Sequence, residues 1–395
     1  MTYADRWLLP DGIAEILPAQ AEDIEQLRRD MLNLYHRWGY DLVIPPVLEF
    51  TDSLLTGLGQ DLDLLTFKVT DQLSGRSMGL RADITPQTAR MDAHSFKREG
   101  VNRLCYAGHV VHTRPKSPLA TRTPIQAGVE LFGEASLSAD IEVVSLLLES
   151  LQTAGVKQLN IDLGHVGIYR ALAAATQLDD QQEMALFTLL QQKAVSDIDA
   201  WVAEQIAQPN IAKLIRALPA LCGGVEVLEQ ARKLLSEYVP DALQAIDELQ
   251  QIAAVIAERY PAANLYFDIS ELRGYHYHTG LVFAAFAPGY GQAIANGGRY
   301  DHIGEVFGRA RPATGFAVDL GALNTLGSTV GLLEPGILAP EVSDTLGWQA
   351  VQQLRQQGER VVCTLSESSL VREELNCDRE LVLDNGQYLV KPISK

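Results

Sequence analysis

Residues 273–280 read Arg-Gly-Tyr-His-Tyr-His-Thr-Gly, and they are the most informative stretch of this 395-residue chain. A second block further along, residues 296–301, reads Asn-Gly-Gly-Arg-Tyr-Asp. Each block combines glycine, arginine and tyrosine, so each offers a cation and an aromatic ring where the backbone can come close to a ligand.

The composition disfavours several classes of protein. Hydrophobic residues make up 47% of the chain and charged residues 21%, which supports a full-sized core and argues against disorder. No run of about twenty apolar residues is present, so no membrane span is expected. The net charge of -18 disfavours a surface that binds nucleic-acid phosphates. The four cysteines form no Cys-x-x-Cys pair, which favours reduced thiols in a cytoplasmic protein.

The N-terminal part predicts a helix followed by a strand. Apolar residues recur at helical spacing across residues 22–38, and Gly39 ends the pattern. Residues 40–44 then read as a strand that Pro45 and Pro46 stop. Beyond these, the sequence predicts a helix at residues 138–154 and strands at residues 76–81, 103–111, 125–132, 159–163, 263–268, 280–286 and 315–318.

Two further segments differ from this pattern of strands. The region from about residue 166 to residue 259 is rich in Ala, Leu, Gln and Glu and is predicted to be a helical insertion. Residues 326–395 are predicted to be a separate small α/β unit, with a helix at 348–357 and strands at 360–364 and 388–391. This tail holds six Lys/Arg against ten Asp/Glu, the wrong balance for an RNA reader. Residues 1–325 form the other predicted domain.

The two blocks, 273–280 and 296–301, resemble the paired histidine-recognition motifs of histidyl-tRNA synthetase, a class II aminoacyl-tRNA synthetase. The resemblance runs from residue 10 to residue 323 and more faintly through the tail. It implies an α+β fold in which helices flank an antiparallel class II sheet, with a helical insertion and a reduced C-terminal domain. The helix, strand and proline near residue 45 are similar to the first class II motif, which implies a homodimer interface.

A site for histidine must satisfy an ammonium, a carboxylate and the two ring nitrogens of an imidazole. The resemblance implies that Asp83 and Thr85 bind the ammonium and that Gln126 holds the amino-acid backbone. Glu130 would receive an imidazole N–H, and it shares one face of an extended strand with Gln126. Arg273 would face the ligand carboxylate.

The aromatic part of the implied pocket departs from the synthetase at one position. Tyr277 and Tyr300 would close the pocket around the imidazole. His278 stands where the synthetase motif has a second tyrosine, so the contact with the imidazole is expected to change.

The positions that bind ATP in the synthetase hold other residues here. His112 stands where the second class II motif places an arginine, and Arg114 is the candidate substitute two residues later. Ala322 stands where the third motif places the arginine that holds the γ-phosphate, and Asp319 adds a negative charge nearby. Since loss of one donor to a developing oxyanion costs roughly 10²–10³ in rate, the synthetase reaction is expected to be lost, and no catalytic residue is assigned.

This combination is similar to the ATP phosphoribosyltransferase regulatory subunits, which are paralogues of histidyl-tRNA synthetase. The resemblance implies a non-catalytic partner of the short-form catalytic subunit, the enzyme of the first step of histidine biosynthesis, with L-histidine as feedback effector. No cofactor, metal, nucleic acid or membrane is expected as a partner, and a metal site at His276 and His278 is disfavoured because no further acid lies nearby. Two alternatives stay open: an atypical histidyl-tRNA synthetase or other amino-acid-activating enzyme, and a free-standing histidine-binding or RNA-associated scaffold.

Overall fold

The computed structural model describes residues 7–55, 60–117, 120–275, 277–327, 334–365 and 372–393. Contacts divide the chain into two compact units, one of residues 1–15 and 24–329, the other of residues 16–23 and 330–395. The domain boundary after residue 325 stays a prediction. His276 lies outside the described residues, so the structure does not test its role.

Among the residues that the structure describes, the first unit contains twelve strands and twelve α-helices, including α1, which begins in the second unit. The strands are β1 (Asp41–Leu42), β2 (Leu48–Phe50), β3 (Lys68–Thr70), β4 (Ser77–Leu80), β5 (Asn102–His109), β6 (Ile125–Phe132), β7 (Leu159–His165), β8 (Cys222–Gly223), β9 (Ala263–Asp268), β10 (Leu281–Phe286), β11 (Ala295–Arg299) and β12 (Ala313–Asp319). The helices are α1 (Pro18–Arg37), α2 (Thr51–Leu54), α3 (Gln60–Leu65), α4 (Thr85–Arg90), α5 (Leu137–Thr153), α6 (Val166–Thr176), α7 (Asp180–Gln191), α8 (Val195–Gln205), α9 (Pro209–Ala217), α10 (Glu226–Leu235), α11 (Leu243–Arg259) and α12 (Leu320–Leu326).

A large mixed sheet organises this unit. Among the described residues it has nine strands in the order β1-β5-β6-β12-β11-β10-β7-β9-β8. All pairings from β5 through to β7 are antiparallel, whereas β1 pairs with β5 and β7 with β9 in parallel. Strands β2, β4 and β3 form a separate small antiparallel sheet. The α+β class and the antiparallel centre predicted from the sequence are confirmed.

The hydrophobic core lies between this sheet and its helices. Helix α1 contributes the apolar stripe predicted from its spacing, including the fully buried Met31 and Tyr35. The Tyr35 ring meets Phe316 of β12 edge-on at 6.1 Å between centroids, which places α1 against the middle of the sheet. Strand β10 is buried along nearly its whole length because it is central in the sheet.

The predicted insertion is helical, as expected. Helices α6 to α11 occupy most of residues 166–259, and short turns, two 3-10 helices and β8 separate them. Strand β8 extends the sheet edge beside β9. Asp179 caps α7 by accepting a hydrogen bond from the Gln182 amide nitrogen at 2.8 Å. In the ranges that the structure describes, no helix has both the length and the apolar character that crossing a bilayer requires.

The second unit is a small α/β fold. Its strands are β13 (Gly336–Ala339), β14 (Val361–Cys363), β15 (Cys377–Asp384) and β16 (Gln387–Pro392), in the order β14-β13-β15-β16 among the described residues, with helix α13 (Thr345–Gln356). Val351 of α13 packs on Ile337 and Leu381 of the sheet. The helix and both strands predicted in the tail are confirmed, although α13 begins earlier, where Asp344 caps it. Strands β13 and β15 were not predicted.

Candidate functional site

A cavity of about 310 Å3 opens over β6, β11 and β12 in the first unit. Its other walls come from residues between β4 and α4, from the loop between β5 and β6, and from the segments before and after β10. The side chains and backbone that line it include Asp83, Thr85, His112, Lys116, Gln126, Glu130, Tyr277, His278, Tyr290, Gln292, Tyr300, Asp319 and Ala322. Most of the site residues proposed from the sequence therefore lie around a single cavity.

Hydrogen-bond acceptors, both neutral and anionic, line one part of the cavity. Asp83 Oδ1 accepts hydrogen bonds from Gln126 Nε2 at 2.9 Å and from the Thr85 backbone N–H at 3.1 Å. Gln126 Oε1 accepts the Ile84 N–H at 3.0 Å, which fixes the orientation of the amide. The strict alternation of β6 brings Gln126 to this end, and Glu130 follows four residues later on the same strand face.

Glu130 lies at the inner end of the cavity and is only 1% exposed. Its Oε1 accepts hydrogen bonds from the Thr85 hydroxyl at 2.7 Å and the Tyr106 hydroxyl at 3.1 Å, and its Oε2 accepts one from Tyr300. Burial raises the pKa of Glu130 well above its usual range, although the Thr85 and Tyr106 hydroxyls act in the opposite direction. The Glu130 carboxylate can occupy this position because residue 315 is glycine. A Cβ on Gly315 would overlap the carboxylate.

An aromatic wall stands beside Glu130. The Tyr277 and Tyr300 rings are stacked with centroids 5.0 Å apart, and His278 meets Tyr277 edge-on at 5.1 Å. Burial lowers the pKa of His278 to about 4, so this ring is neutral near pH 7. The Tyr277 hydroxyl is buried and has no hydrogen-bond partner among the described residues. A planar polar ligand could satisfy this hydroxyl.

Arg273 is the one proposed pocket residue that the structure does not bring into the cavity. Its guanidinium donates to Glu271 at 3.2 Å and lies over the Phe286 ring, and 42% of its side chain is exposed. Glu271 stands two residues earlier in the chain and also accepts the Arg273 backbone N–H at 2.7 Å. This pairing with Glu271 keeps the Arg273 side chain out of the cavity, where the sequence analysis had predicted it to lie.

The part of the cavity lined by His112, Asp319 and Ala322, which the sequence predicts to be a degenerate ATP site, is poor in positive charge. His112 is buried, and its Nε2 donates to the Ala82 carbonyl at 3.0 Å, so its Nδ1 carries no proton in the neutral ring. Burial lowers the pKa of His112, which favours that neutral form. Arg114 is exposed and is not among the described residues lining the cavity, and Ala322 is a buried wall residue.

Asp319 makes this part of the cavity still less suited to a phosphate group. Its Oδ1 caps α12 by accepting the Gly321 N–H at 2.9 Å and the Ala322 N–H at 3.3 Å. The helix N-terminus, which could otherwise receive an anion, is thus occupied by the protein's own carboxyl group. Burial raises the pKa of Asp319. Among the described lining residues only Lys116 is a cation, whereas Asp83, Glu130 and Asp319 are acidic.

These charges suit a ligand with a positive or hydrogen-bond-donating group better than a triphosphate. No group of three His, Cys, Asp or Glu side chains is placed to hold a metal ion in the described ranges.

Sequence reasoning missed Tyr106 as a member of the site. This tyrosine pairs with Gly128 across β5 and β6, and the missing side chain at Gly128 leaves room for the Tyr106 hydroxyl to reach Glu130. Its position two residues before Gly108 on a strand was the available signal. Lys116, Tyr290 and Gln292 come from loops and carried no signal of their own.

Comparison with known proteins settles the family. The family model described as histidyl-tRNA synthetase matches residues 12–323, and the one described as the C-terminal domain of ATP phosphoribosyltransferase subunit HisZ matches residues 334–391. An ATP phosphoribosyltransferase regulatory subunit from Cellvibrio japonicus is 63% identical, covering 100% of this chain and 98% of the relative. The chain belongs to the family of ATP phosphoribosyltransferase regulatory subunits. The resemblance inferred from the sequence is confirmed, and it places the chain among regulatory rather than catalytic subunits.

Solved structures agree on the fold. An ATP phosphoribosyltransferase regulatory subunit/histidyl-tRNA synthetase from Bacillus halodurans is 27% identical with a TM-score of 0.81, and the likeness covers 93% of this chain and 95% of that one. A chain of an ATP phosphoribosyl transferase (HisG:HisZ) complex from Thermotoga maritima is 17% identical with a TM-score of 0.59, covering 74% of this regulatory subunit and 96% of that chain. At that identity the second likeness shows the fold alone.

Proposed function

We propose that this regulatory subunit binds L-histidine in the cavity and couples it to a separate short-form catalytic subunit of ATP phosphoribosyltransferase, which it activates and through which histidine exerts feedback inhibition. The observation that carries the proposal is the contrast within one cavity. Asp83 and Glu130 offer acceptors for an ammonium and an imidazole N–H, while no arginine is among the described residues that line the cavity. Four free cysteines fit a reducing cytoplasm.

Feedback requires linkage between the two subunits. Histidine can inhibit only if it binds the inactive assembly more tightly than the active one, and couplings of about 1–3 kcal/mol are typical. The similar Thermotoga maritima structure is an ATP phosphoribosyl transferase (HisG:HisZ) complex, and the Cellvibrio japonicus relative is a regulatory subunit. Both relatives support an assembly of this kind for the present chain.

Reconstitution tests the proposed function. Mixing the purified chain with its cognate catalytic subunit is expected to raise the rate of phosphoribosyl transfer, and L-histidine is expected to inhibit the mixture by about 5- to 150-fold through the coupling energy. An ATP–pyrophosphate exchange assay on the chain alone, with histidine, serves as the control. Robust exchange would favour an amino-acid-activating enzyme instead, and a mixture that neither associates nor changes rate would refute the regulatory role proposed here.

We further propose a homodimer built on β1, at the outer edge of the large sheet. Four large apolar side chains near this edge are exposed: Leu42, Ile44, Val47 and Leu48. Ile44 is 85% exposed, which is unusual for a β-branched apolar residue beside an open strand edge. A second copy that covers this edge would remove the apolar surface from water.

Ile44→Asp is expected to convert the dimer into a monomer, because a carboxylate would have to be buried in the interface. Light scattering should give twice 43.3 kDa for the wild type and 43.3 kDa for the variant at micromolar concentration. Val195→Asp, at an exposed position in the insertion, is the matched control and should stay dimeric. A monomeric wild type, or a dimeric Ile44→Asp variant, would contradict this interface.

A further inference from the structure

The helical insertion contacts the segment between β9 and β10 through one tyrosine, Tyr275. Its ring meets Tyr169 of α6 edge-on, with centroids 5.1 Å apart, and lies 5.3 Å from the ring of Phe187 of α7. The Tyr275 hydroxyl donates to Glu183 Oε1, also on α7, at 3.1 Å. Glu183 and Phe187 are four residues apart and therefore share one face of that helix. One side chain thus joins this segment to two helices of the insertion.

Arg170 of α6 holds the backbone of the same segment. Its guanidinium donates to the carbonyls of Tyr275 at 3.3 Å, His278 at 2.7 Å and Thr279 at 3.3 Å. The described residues between β9 and β10 form neither helix nor strand, so backbone carbonyls here depend on side-chain donors of this kind. His278 and the neighbouring Tyr277 belong to the aromatic wall of the cavity. A helix of the insertion therefore helps to set the position of that wall.

Helices α7 and α8, which we call the outer helix pair, are lightly anchored. The buried residues of α7 are Leu186 and Leu190, and those of α8 are Ile198 and Val202. Helix α5, in contrast, has ten buried residues among its 17. Elements with few buried apolar residues open at low free energy, and the elements that move in allosteric proteins belong to this group.

From these contacts we propose that the outer helix pair is the element of the fold that responds to occupancy of the cavity. A ligand that orders Tyr277 and His278 also orders the backbone that Arg170 holds. The hydrogen bond from Tyr275 to Glu183 then passes this order to α7, because ordering one element lowers the entropic cost of ordering what is attached to it. The inference rests on the proposed function, since it concerns a consequence of histidine binding in the same cavity.

Amide hydrogen exchange of the full-length chain, with and without L-histidine, tests the response. Saturating L-histidine is expected to slow exchange in the outer helix pair by about 5- to 150-fold, the range of typical couplings between sites. Calorimetric titration of the same preparation measures binding. Binding with unchanged exchange in α7 and α8 would overturn the inference and leave the histidine site intact. Failure of L-histidine to bind would overturn the proposed function and this inference with it.

Tyr275→Phe tests the connection because it keeps the ring contacts and removes only the donor to Glu183. The variant should bind L-histidine within about threefold of the wild type, since Tyr275 is not among the described residues that line the cavity. The slowing of exchange in α7 should fall by at least about threefold, as loss of one hydrogen bond implies. Tyr260→Phe is the matched control, because the Tyr260 hydroxyl donates to Glu149 of α5 at the same 3.1 Å, after the end of α11. This control should keep the wild-type slowing, and equal slowing in Tyr275→Phe and the wild type would overturn the inference.

Glu183→Leu removes the same hydrogen bond from its other side. Combining it with Tyr275→Phe should reduce the slowing of exchange no further than either substitution alone, because both remove one shared contact. Losses that add in the double variant would show that the two side chains act separately. That result would overturn the proposed connection between the cavity and α7.

Discussion

Glu130→Gln is expected to lower the affinity of the cavity for L-histidine by about 10- to 100-fold. Leaving a buried hydrogen-bonding group without its partner costs roughly 1–3 kcal/mol, and the amide replaces one of the two acceptor oxygens by a donor. The new NH2 group would also face the hydroxyls of Thr85 and Tyr106 or of Tyr300, which now donate to the carboxylate. Calorimetric titration of the purified variant measures the change.

The glutamine substitution is preferable to alanine because it keeps the volume of a side chain that is 1% exposed. Alanine would leave a cavity and three hydroxyls without their acceptor, so lost binding could then reflect lost structure. Glu341→Gln, at an exposed position in the second unit, is the matched control and should bind like the wild type. A folded Glu130→Gln protein with unchanged affinity would remove Glu130 from the ligand contacts.

The strand that carries Glu130 could be predicted from the sequence because its side-chain pattern is local. The predicted range, residues 125–132, is the observed extent of β6. A period of two then places Gln126 and Glu130 on one face without further information. The same reasoning succeeded for α1, where the helical stripe is strict.

Strand β11 shows where local patterns fail. Two consecutive glycines usually indicate a turn, and no strand was predicted at Ala295–Arg299. In the sheet, a Cβ at Gly297 would meet the Gly315 carbonyl and the Phe283 ring, so only glycine fits between its neighbours. That requirement comes from tertiary contacts, which a single sequence does not display.

Arg273 illustrates a different limit. The motif predicts the residue type and its place in the chain, but the direction of a long flexible side chain depends on competing partners. Glu271 is such a partner and stands only two residues away. The acidic residue two positions before Arg273 is visible in the sequence. It could have argued against the prediction that Arg273 faces the ligand carboxylate.

The second large effect is on stability. Arg299→Met is expected to reduce the free energy of unfolding by about 3–5 kcal/mol, because it leaves a buried carboxylate without its cation. Arg299 is 8% exposed and donates to Asp140 Oδ2 from Nε at 3.0 Å and from Nη2 at 2.8 Å. It also donates to the backbone carbonyls of Glu134 and Ser136, so one side chain ties β11 to the start of α5. Urea unfolding monitored by circular dichroism gives the change.

The exposed ion pair of Arg216 and Asp199 provides the comparison, since Arg216→Met should cost less than about 1 kcal/mol. Adding Asp140→Leu to Arg299→Met should recover part of the loss, because the unpaired charge is then gone. A double variant no more stable than Arg299→Met alone would indicate that lost packing, not the stranded carboxylate, causes the effect.

The pH dependence of the Arg299→Met deficit separates charge from packing in a second way. Burial already raises the pKa of Asp140, and Arg299 opposes that shift. Without the arginine the folded-state pKa should rise further above the unfolded value, so the folded protein binds a proton that the unfolded chain does not, and stability increases as the pH falls. The deficit relative to the wild type should therefore be smaller at pH 5 than at pH 8. A loss of unfolding free energy that is the same at both pH values would argue that Asp140 is not the group left unpaired. The backbone contacts of Arg299 would then determine how firmly β11 and the adjoining Tyr300 are held at the cavity.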